Sequence, residues 1–149
     1  MLYRPFKPQD LPAIYAIEEV CFLPPHRFSD TYLRQLIGDP HAATWIAERD
    51  AQILGFAIVE WPGGPENFFA YIQTLEVLPE ARAQGVGGEL LRRLEGSAAE
   101  VQASAIWLHV DADNLRAIRL YCKAGYRLRG REEDYYGRNR PGLVYFKLL

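Results

Sequence analysis

Apolar residues recur at helical spacing near the start of the chain. In residues 8–22, Leu11, Ile14, Ile17 and Val20 fall on one face. This period predicts an amphipathic helix with Asp10 as its N-cap. The prolines that follow Leu23 end it.

The same period predicts three further helices. A short one covers 29–37, a longer one runs from about Gly87 to about Gln102, and the last covers 114–125. The end signals are Ser29 or Asp30 at the second helix, and Asn114 and Gly125 at the last.

Alternating or continuous apolar runs predict strands between these helices. The runs are 2–6, 44–50, 53–61, 68–77, 105–110, 126–131 and 143–148, with a hairpin turn at 50–52. Strands and helices then follow the order β-α-α-β-β-β-α-β-α-β-β. This order predicts one α+β layered domain, residues 1–149, with a βαβ unit at 68–110.

Composition narrows the class of protein. Hydrophobic residues make up 49% of the 149 positions and charged residues 24%, which is typical of a soluble globular protein. The longest apolar run, residues 53–59, is too short for a membrane span, and the N-terminus resembles no secretory signal. We therefore expect a cytoplasmic protein without a membrane partner.

The distribution of charge and the two cysteines narrow the class of protein further. Residues 1–114 hold 8 Lys/Arg against 16 Asp/Glu, whereas residues 115–149 hold 9 against 3. This asymmetry suits an anionic cofactor and a cationic substrate, or is ordinary surface charge. No nucleic-acid motif accompanies the basic tail. Cys21 and Cys122 are expected to be reduced, partly buried thiols, and the His and Cys spacing predicts no metal site.

The most informative stretch is the glycine-rich turn between the strand 68–77 and the following helix. Arg82, Gly85 and Gly87 stand in the pattern R-x-x-G-x-G. The glycines allow backbone N–H groups to approach an anion, and the helix N-terminus adds a positive field. The spacing fits neither the Walker A nor the Rossmann motif. Two interpretations of the turn remain: a site that binds a diphosphate, or a plain glycine turn before a helix.

This turn resembles the acetyl-CoA signature of the GCN5-related N-acetyltransferases, R/Q-x-x-G-x-G/A after a strand. A second signature of that family, N-x-x-A-x-x-L/F-Y-x-x-x-G-F/Y, resembles residues 114–126, with Asn114, Ala117, Tyr121 and Gly125 in register. The resemblance covers nearly the whole chain. It implies a mixed, mostly antiparallel sheet with a βαβ core that binds acetyl-CoA.

The resemblance also implies site residues. The strand backbone at Leu75 and Val77 would hold the pantetheine arm, Asn114 would bind the cofactor arm, and Tyr121 would protonate the departing thiolate. The backbone of the turn would hold the pyrophosphate. Its residues are Arg82, Ala83, Gln84, Gly85, Val86, Gly87 and Gly88.

Within that family, the chain resembles protein N-terminal α-amino acetyltransferases, namely the NatE catalytic subunit and RimI-type enzymes. The similar segments are YIQTL at 71–75, WLHVDADN at 107–114 and DYYGR at 134–138. By this likeness Tyr71 and His109 form the catalytic base pair, acting through ordered water. Other branches carry a Glu at one of these two positions, which this chain lacks.

A weak base favours an amine of low pKa. An α-amine titrates near ~8 and a lysine side chain near ~10.4, so far more α-amine is neutral at pH 7. Histidine, which ordinarily titrates near ~6.5, suits the deprotonation of an α-amine. Alternatively, His109 is a hydrogen-bonded core residue. Glu76 is a second candidate base or amine anchor, although strand alternation points it away from Tyr71 unless a bulge intervenes.

The resemblance implies a substrate cleft as well. Its residues are Phe22, Leu23, Pro24, Gln73, Glu76, Tyr135 and Tyr136. The FLPP segment could instead be a plain helix stop. We expect a monomeric or homodimeric acyltransferase that uses acetyl-CoA, binds no nucleic acid and acetylates the α-amine of a protein or peptide. The alternatives are a small-molecule amine acetyltransferase and a non-catalytic acyl-CoA-binding module.

Overall fold

The computed structural model describes residues 1–63 and 69–149. It contains seven strands and four α-helices in the predicted order. The strands are β1 (Leu2–Pro5), β2 (Ala42–Arg49), β3 (Gln52–Glu60), β4 (Phe69–Val77), β5 (Ala105–Asp111), β6 (Arg127–Glu132) and β7 (Gly142–Leu148). The helices are α1 (Leu11–Cys21), α2 (Asp30–Gly38), α3 (Val86–Glu100) and α4 (Leu115–Lys123). The segment 62–67, between the predicted strands 53–61 and 68–77, falls partly outside the described residues.

All seven strands form one sheet, in the order β1-β2-β3-β4-β5-β7-β6. Only the pair β4–β5 is parallel, because α3 forms the crossover between them, and every other neighbour is antiparallel. The predicted mixed, mostly antiparallel sheet with a central βαβ unit is confirmed. No helix in these residues has the length and apolar character that a membrane crossing requires.

Each face of the sheet has its own apolar core. On one face, α3 contributes Leu90, Leu91 and Leu94, and this helix packs on β2, β3 and β4. On the other face, Ile14 and Ile17 of α1 and Leu33 and Leu36 of α2 pack on β2 and β3. The second face also carries the polar residues of the candidate site, so α1 and the loop after it form one wall of the cleft described below.

Local chemistry explains several element ends. Ser29 accepts a hydrogen bond from the Tyr32 N–H and caps α2, and Asn114 accepts one from the Ala117 N–H and caps α4. The β2–β3 turn at Asp50 and Ala51 has two successive positive φ angles, 52° and 64°. That geometry matches the twist of a two-residue hairpin.

Three local expectations are wrong. Asp10 stands at the N-terminus of α1 but does not cap it, because its carboxylate accepts from the Lys7 N–H and pairs with Arg4. Val20 is 58% exposed rather than on the buried stripe. Cys122 is an exposed free thiol rather than a partly buried one. The glycine end signal of α4 is confirmed, because Gly125, with φ of 95°, follows Ala124 and donates its N–H to the Cys122 carbonyl, and the Tyr126 N–H donates to the Tyr121 carbonyl.

Candidate active site

The parallel strands β4 and β5 diverge in the middle of the sheet. Their pairing runs from Phe69 opposite Ala105 to Ile72 opposite Leu108 and ends there. β4 nevertheless continues to Val77, still paired with β3. From Gln73 onward, the edge of β4 that faces β5 is therefore released from the sheet ladder. A wedge-shaped opening follows from this divergence.

Two cavities occupy this opening. The narrower one, about 220 Å³, lies between the end of β4, the glycine turn and α4. The larger one, about 480 Å³, lies on the α1 side. Both are lined by Cys21, Phe22, Leu75, Asn114, Arg116, Ala117 and Tyr121. A molecule in one cavity can therefore meet a molecule in the other at this junction.

The narrower cavity suits an elongated, partly anionic ligand. Gly85 begins α3 with φ of 83°, and a side chain at Gly85 or Gly88 would meet no atom within 4 Å. The first hydrogen bond of the helix runs from the Glu89 N–H to the Gly85 carbonyl, which leaves earlier N–H groups for a ligand. These residues fit a cofactor with a diphosphate and an amide-bearing arm.

Most of the predicted cofactor residues line this narrower cavity. They are Leu75, Val77, Arg82, Ala83, Gly85, Val86, Gly87, Gly88, Asn114 and Tyr121. Gln84 does not, because its side chain bonds to Arg49 and to the Glu80 carbonyl. The Arg82 side chain folds back, donating to the Val77 carbonyl at 2.8 Å. Asn114 uses its oxygen as the α4 cap.

Arg116 is a cavity residue that sequence reasoning missed. It lines both cavities, and burial together with the nearby Arg82 guanidinium lowers its pKa. Two arginines close together at one cavity favour an anion between them. No sequence signal beyond the α4 motif marks this residue.

Tyr121 lies at the junction of the two cavities. Burial raises the pKa of its hydroxyl, so it stays protonated at neutral pH. No hydrogen-bond partner for this hydroxyl exists among residues 1–63 and 69–149, and its ring packs edge-on against Tyr126. A protonated hydroxyl at this point can donate to an atom held in the opening.

Tyr71 and His109 are brought together as the sequence predicted. The Tyr71 hydroxyl lies 2.8 Å from Nδ1 of His109. Burial raises the pKa of Tyr71, with a further contribution from Tyr135. The Tyr71 hydroxyl therefore keeps its proton at neutral pH and can donate it to Nδ1. His109 lines the larger cavity, and its side chain is only 8% exposed.

Glu132 is a second residue missed at the sequence level. Its Oε1 lies 3.1 Å from Nε2 of His109. A carboxylate only accepts hydrogen bonds, so Nε2 carries a proton, and in the neutral imidazole Nδ1 then accepts from Tyr71. The three side chains form a chain, Tyr71–His109–Glu132. The contact depends on how β6 and β7 continue the sheet beyond β5, which no local motif reveals.

The loop between β6 and β7 covers this chain. The Tyr135 ring stacks on His109 with centroids 4.1 Å apart, and Tyr136 stacks on His26 at 4.5 Å. His26 also pairs with Asp111 at 2.7 Å, and Arg140 donates to the same oxygen at 3.1 Å. These contacts join the loop after α1 to the loop after β6 across the larger cavity.

Most of the predicted substrate residues line the larger cavity. Phe22, Leu23, Pro24, Gln73 and Tyr136 do so, while Tyr135 lies over His109. Gln73 is further held by Glu60 and by the Tyr32 hydroxyl. The cavity thus has apolar walls on one side and an aromatic loop on the other.

Strand alternation gave the wrong face for Glu76. Ile58 pairs with Thr74, but the next residue, Val59, pairs with Ile72, so Gln73 is an extra residue in β4. Such a bulge reverses the alternation beyond it. Thr74 and Glu76 consequently lie on the same face as Tyr71, toward α1. Glu76 is 2% exposed and lines the narrower cavity.

Glu76 lies next to a second buried carboxyl, Glu18 of α1. Burial raises the pKa of both, and in Glu76 the hydrogen bond with Glu18 and its charge raise it further. Glu76 also accepts from Thr74, and Glu18 from the Phe28 N–H. Burial and then the charge of Glu76 raise the pKa of the nearby Cys21 thiol to about 11.

Comparison with known proteins identifies a family for this arrangement. Residues 11–126 match the model of the Acetyltransferase (GNAT) family. The putative [ribosomal protein bS18]-alanine N-acetyltransferase of Bacillus subtilis is 28% identical over 136 residues, which cover 91% of this chain and 87% of that protein.

Two crystal structures share the fold. The ribosomal-protein-S18-alanine N-acetyltransferase of Escherichia coli superposes with a TM-score of 0.85 at 22% identity, covering 99% of this chain and 92% of that one. NAA60 of Arabidopsis thaliana, solved in complex with acetyl-CoA, gives 0.83 at 20% identity and covers 99% and 98%. The fold expected from the sequence is therefore that of known acetyltransferases.

The buried carboxyls predict a pH-dependent stability. Their folded pKa values exceed the unfolded value near ~4.3, so the folded state holds more protons above that pH. The free energy of unfolding should therefore fall as pH rises, by up to about 1.4 kcal/mol per pH unit for one proton. Glu76→Gln should remove this slope in urea titrations between pH 5 and 8.

A matched control is Glu19→Gln, which removes an exposed carboxylate from α1, the helix that carries Glu18. It should keep the wild-type slope. Cys21, Arg27 and Arg82 also act on the pair or its neighbours, and all three are unchanged in both variants. Parallel stability curves for wild type and Glu76→Gln would contradict the assignment of a raised pKa.

Proposed function

This chain belongs to the GNAT acetyltransferase family, and from that premise we propose that it acetylates the α-amine of a protein or peptide N-terminus. The observation that carries the proposal is the Tyr71–His109 hydrogen bond at the larger cavity, beneath the Tyr135 ring. Relatives whose names specify an alanine of a ribosomal protein as the substrate support it.

Acetyl-CoA is the cofactor of this family and supplies the acetyl group as a thioester. In this chain the backbone of the glycine turn, from Arg82 to Gly88, would hold its diphosphate. The released edge of β4 at Leu75 and Val77 would hold its amide-bearing arm. Arg116 adds a positive charge at the same cavity.

The larger cavity would receive the acceptor. Phe22, Leu23 and Pro24 offer an apolar wall for the first side chain, and Tyr136 offers a hydroxyl and a ring to the peptide backbone. Because the loop after α1 and the loop after β6 meet through His26 and Tyr136, an extended chain end would enter beneath them. A narrow entrance of this kind suits a peptide terminus.

His109 and Tyr71 would take the proton from the incoming amine. As water in the cleft delivers that proton to the Tyr71 hydroxyl, Tyr71 passes its own proton to Nδ1 of His109. Glu132 then stabilises the resulting imidazolium through Nε2. This base is suited to an amine that already loses its proton near neutral pH, and an α-amine is such a group.

Acceptor identity is tested with a peptide array that varies the first residue. The comparison sets are lysine-bearing peptides with blocked N-termini and simple polyamines. Peptides with a free α-amine should be acetylated, because their amine is the easiest of the three to deprotonate. The same peptides with a blocked N-terminus serve as the matched control. Preferential acetylation of polyamines or of lysine side chains would overturn the proposal.

The proton relay is tested by His109→Ala. This variant should lower kcat by about 10²–10⁴-fold, as expected for loss of a general base. Glu132→Gln should lower it by a smaller factor, since the amide oxygen still accepts from Nε2 but carries no charge. Glu133→Gln, at an exposed neighbouring carboxylate, is the control. A rate indifferent to His109→Ala would move the base elsewhere.

Tyr121→Phe tests the proton donor for the leaving thiolate. The change should lower kcat by about 10²-fold with little effect on the KM for acetyl-CoA, because only the hydroxyl is lost. The matched control is Tyr15→Phe on α1, which removes a hydroxyl that accepts a hydrogen bond from Arg34 of α2. Steady-state kinetics decide the matter, and unchanged turnover in Tyr121→Phe would contradict the role.

A further inference from the structure

Two buried carboxyls, Glu18 and Glu76, lie beside the junction of the two cavities. Each is 2% exposed. Glu18 lines the larger cavity and Glu76 the narrower one, and their neighbours Cys21 and Leu75 line both. Under the proposed function, this is the region where an amine in one cavity meets a thioester in the other. The position of the pair therefore bears on acceptor binding.

The hydrogen bonds of the pair require one proton. The Phe28 N–H donates to Oε2 of Glu18 at 3.1 Å, and the Thr74 hydroxyl donates to Oε2 of Glu76 at 2.6 Å. The two Oε1 atoms are buried and have no donor among residues 1–63 and 69–149. Carboxylates only accept hydrogen bonds, so a bond between the two groups needs a proton on one of them.

Two hydrogen-bond donors favour one negative charge on the pair. Two ionised carboxylates this close in an apolar interior repel, which keeps the first proton bound. The second carboxyl is stabilised as an anion by the donors at Phe28 and Thr74 and by the proton that it shares. The result is one proton and one negative charge between two side chains.

This charge forms no ion pair with the residues that the structure describes. None of the ion pairs found there includes Glu18 or Glu76. Two guanidinium groups near the pair donate to backbone carbonyls instead, Arg27 to those of Phe22 and Glu19 and Arg82 to that of Val77, and Arg27 acts on Glu18 through its charge alone. A buried charge without an ion-pair partner projects its field into the adjacent cleft.

We propose that Glu18 and Glu76 share a single proton and that their remaining negative charge attracts the ammonium form of the acceptor to the junction. This inference rests on the proposed transfer to an amine and adds a binding step to it. The pair positions the acceptor, while His109 and Tyr71 remove its proton. The site therefore selects a positively charged primary amine over a hydroxyl or thiol of the same shape.

The experiment compares Glu18→Gln, Glu76→Gln and the double variant by steady-state kinetics at pH 7. A glutamine N–H can donate to the remaining carboxylate, so each single variant keeps both the hydrogen bond and the charge. Its acceptor KM should stay within about twofold of wild type. The double variant loses the charge, and its acceptor KM should rise about tenfold or more with the KM for acetyl-CoA unchanged.

Glu19→Gln is the matched control, because it removes an exposed negative charge next to Glu18. It should leave both KM values at wild-type level. A folded double variant with wild-type acceptor KM would overturn the proposal. A loss of kcat above about 10²-fold in Glu76→Gln alone would also overturn it, because Glu76 would then be the base itself.

A second measurement uses the wild-type enzyme and serves if the double variant does not fold. Calorimetry with CoA present compares the acceptor with its analogue in which a hydroxyl replaces the amine. The analogue should bind about tenfold more weakly at pH 6, where the amine is charged. Equal Kd values would overturn the proposal.

The choice of acceptors separates this inference from the proposed function. Each kinetic experiment uses one peptide and one small primary amine. Failure of the proposed function appears as no transfer to peptides by the wild-type enzyme. Failure of the pair appears as an unchanged KM in the double variant for whichever amine the wild type acetylates.

Discussion

The divergence of β4 and β5 after Ile72 and Leu108 is the constraint on which the other features of the site depend. Backbone groups in a buried strand must find hydrogen-bond partners, and β4 loses its partner strand while it still runs through the interior. The Arg82 side chain satisfies one of these groups, the Val77 carbonyl. The remaining edge faces a cavity bounded by the N-terminus of α3 and by α4. An extended ligand with amide groups is the natural complement of such an edge.

The bulge at Gln73 decides which side chains surround that opening. It reverses the alternation within β4, so Leu75 and Val77 join the core beneath α3 while Thr74 and Glu76 turn toward α1. Proton-handling groups thereby gather on one face. The Tyr71–His109–Glu132 chain lies on the β5 side of the opening and the Glu18–Glu76 pair on the α1 side. Tyr121 lines both cavities from α4.

The sequence predicted those features that depend on local pattern. Hydrophobic periodicity gave the order of all eleven elements, and the glycine turn marked the start of α3. The likeness of short motifs predicted that Tyr71 and His109 act together, and the structure places them in hydrogen-bond contact. Contacts between residues far apart in the sequence could not be predicted from local pattern. Glu132 meets His109 only because β7 lies between β5 and β6 in the sheet, and Glu18 meets Glu76 only because α1 packs on β4. Strand alternation alone gave the wrong face for Glu76, because one extra residue in a strand leaves no trace in the apolar pattern.

That extra residue also affects how this strand can change over evolutionary time. Loss of Gln73 would turn the following side chains of β4 to the opposite faces of the sheet in a single step, without altering any other amino acid. Gain of such a residue would have the reverse effect. When two related chains differ by this residue, an ungapped alignment of β4 equates positions on opposite sides of the sheet. Glu76 would then be matched with a residue that belongs under α3. For chains of this kind, the phase of the strand has to be matched before the role of any side chain is transferred from one protein to another.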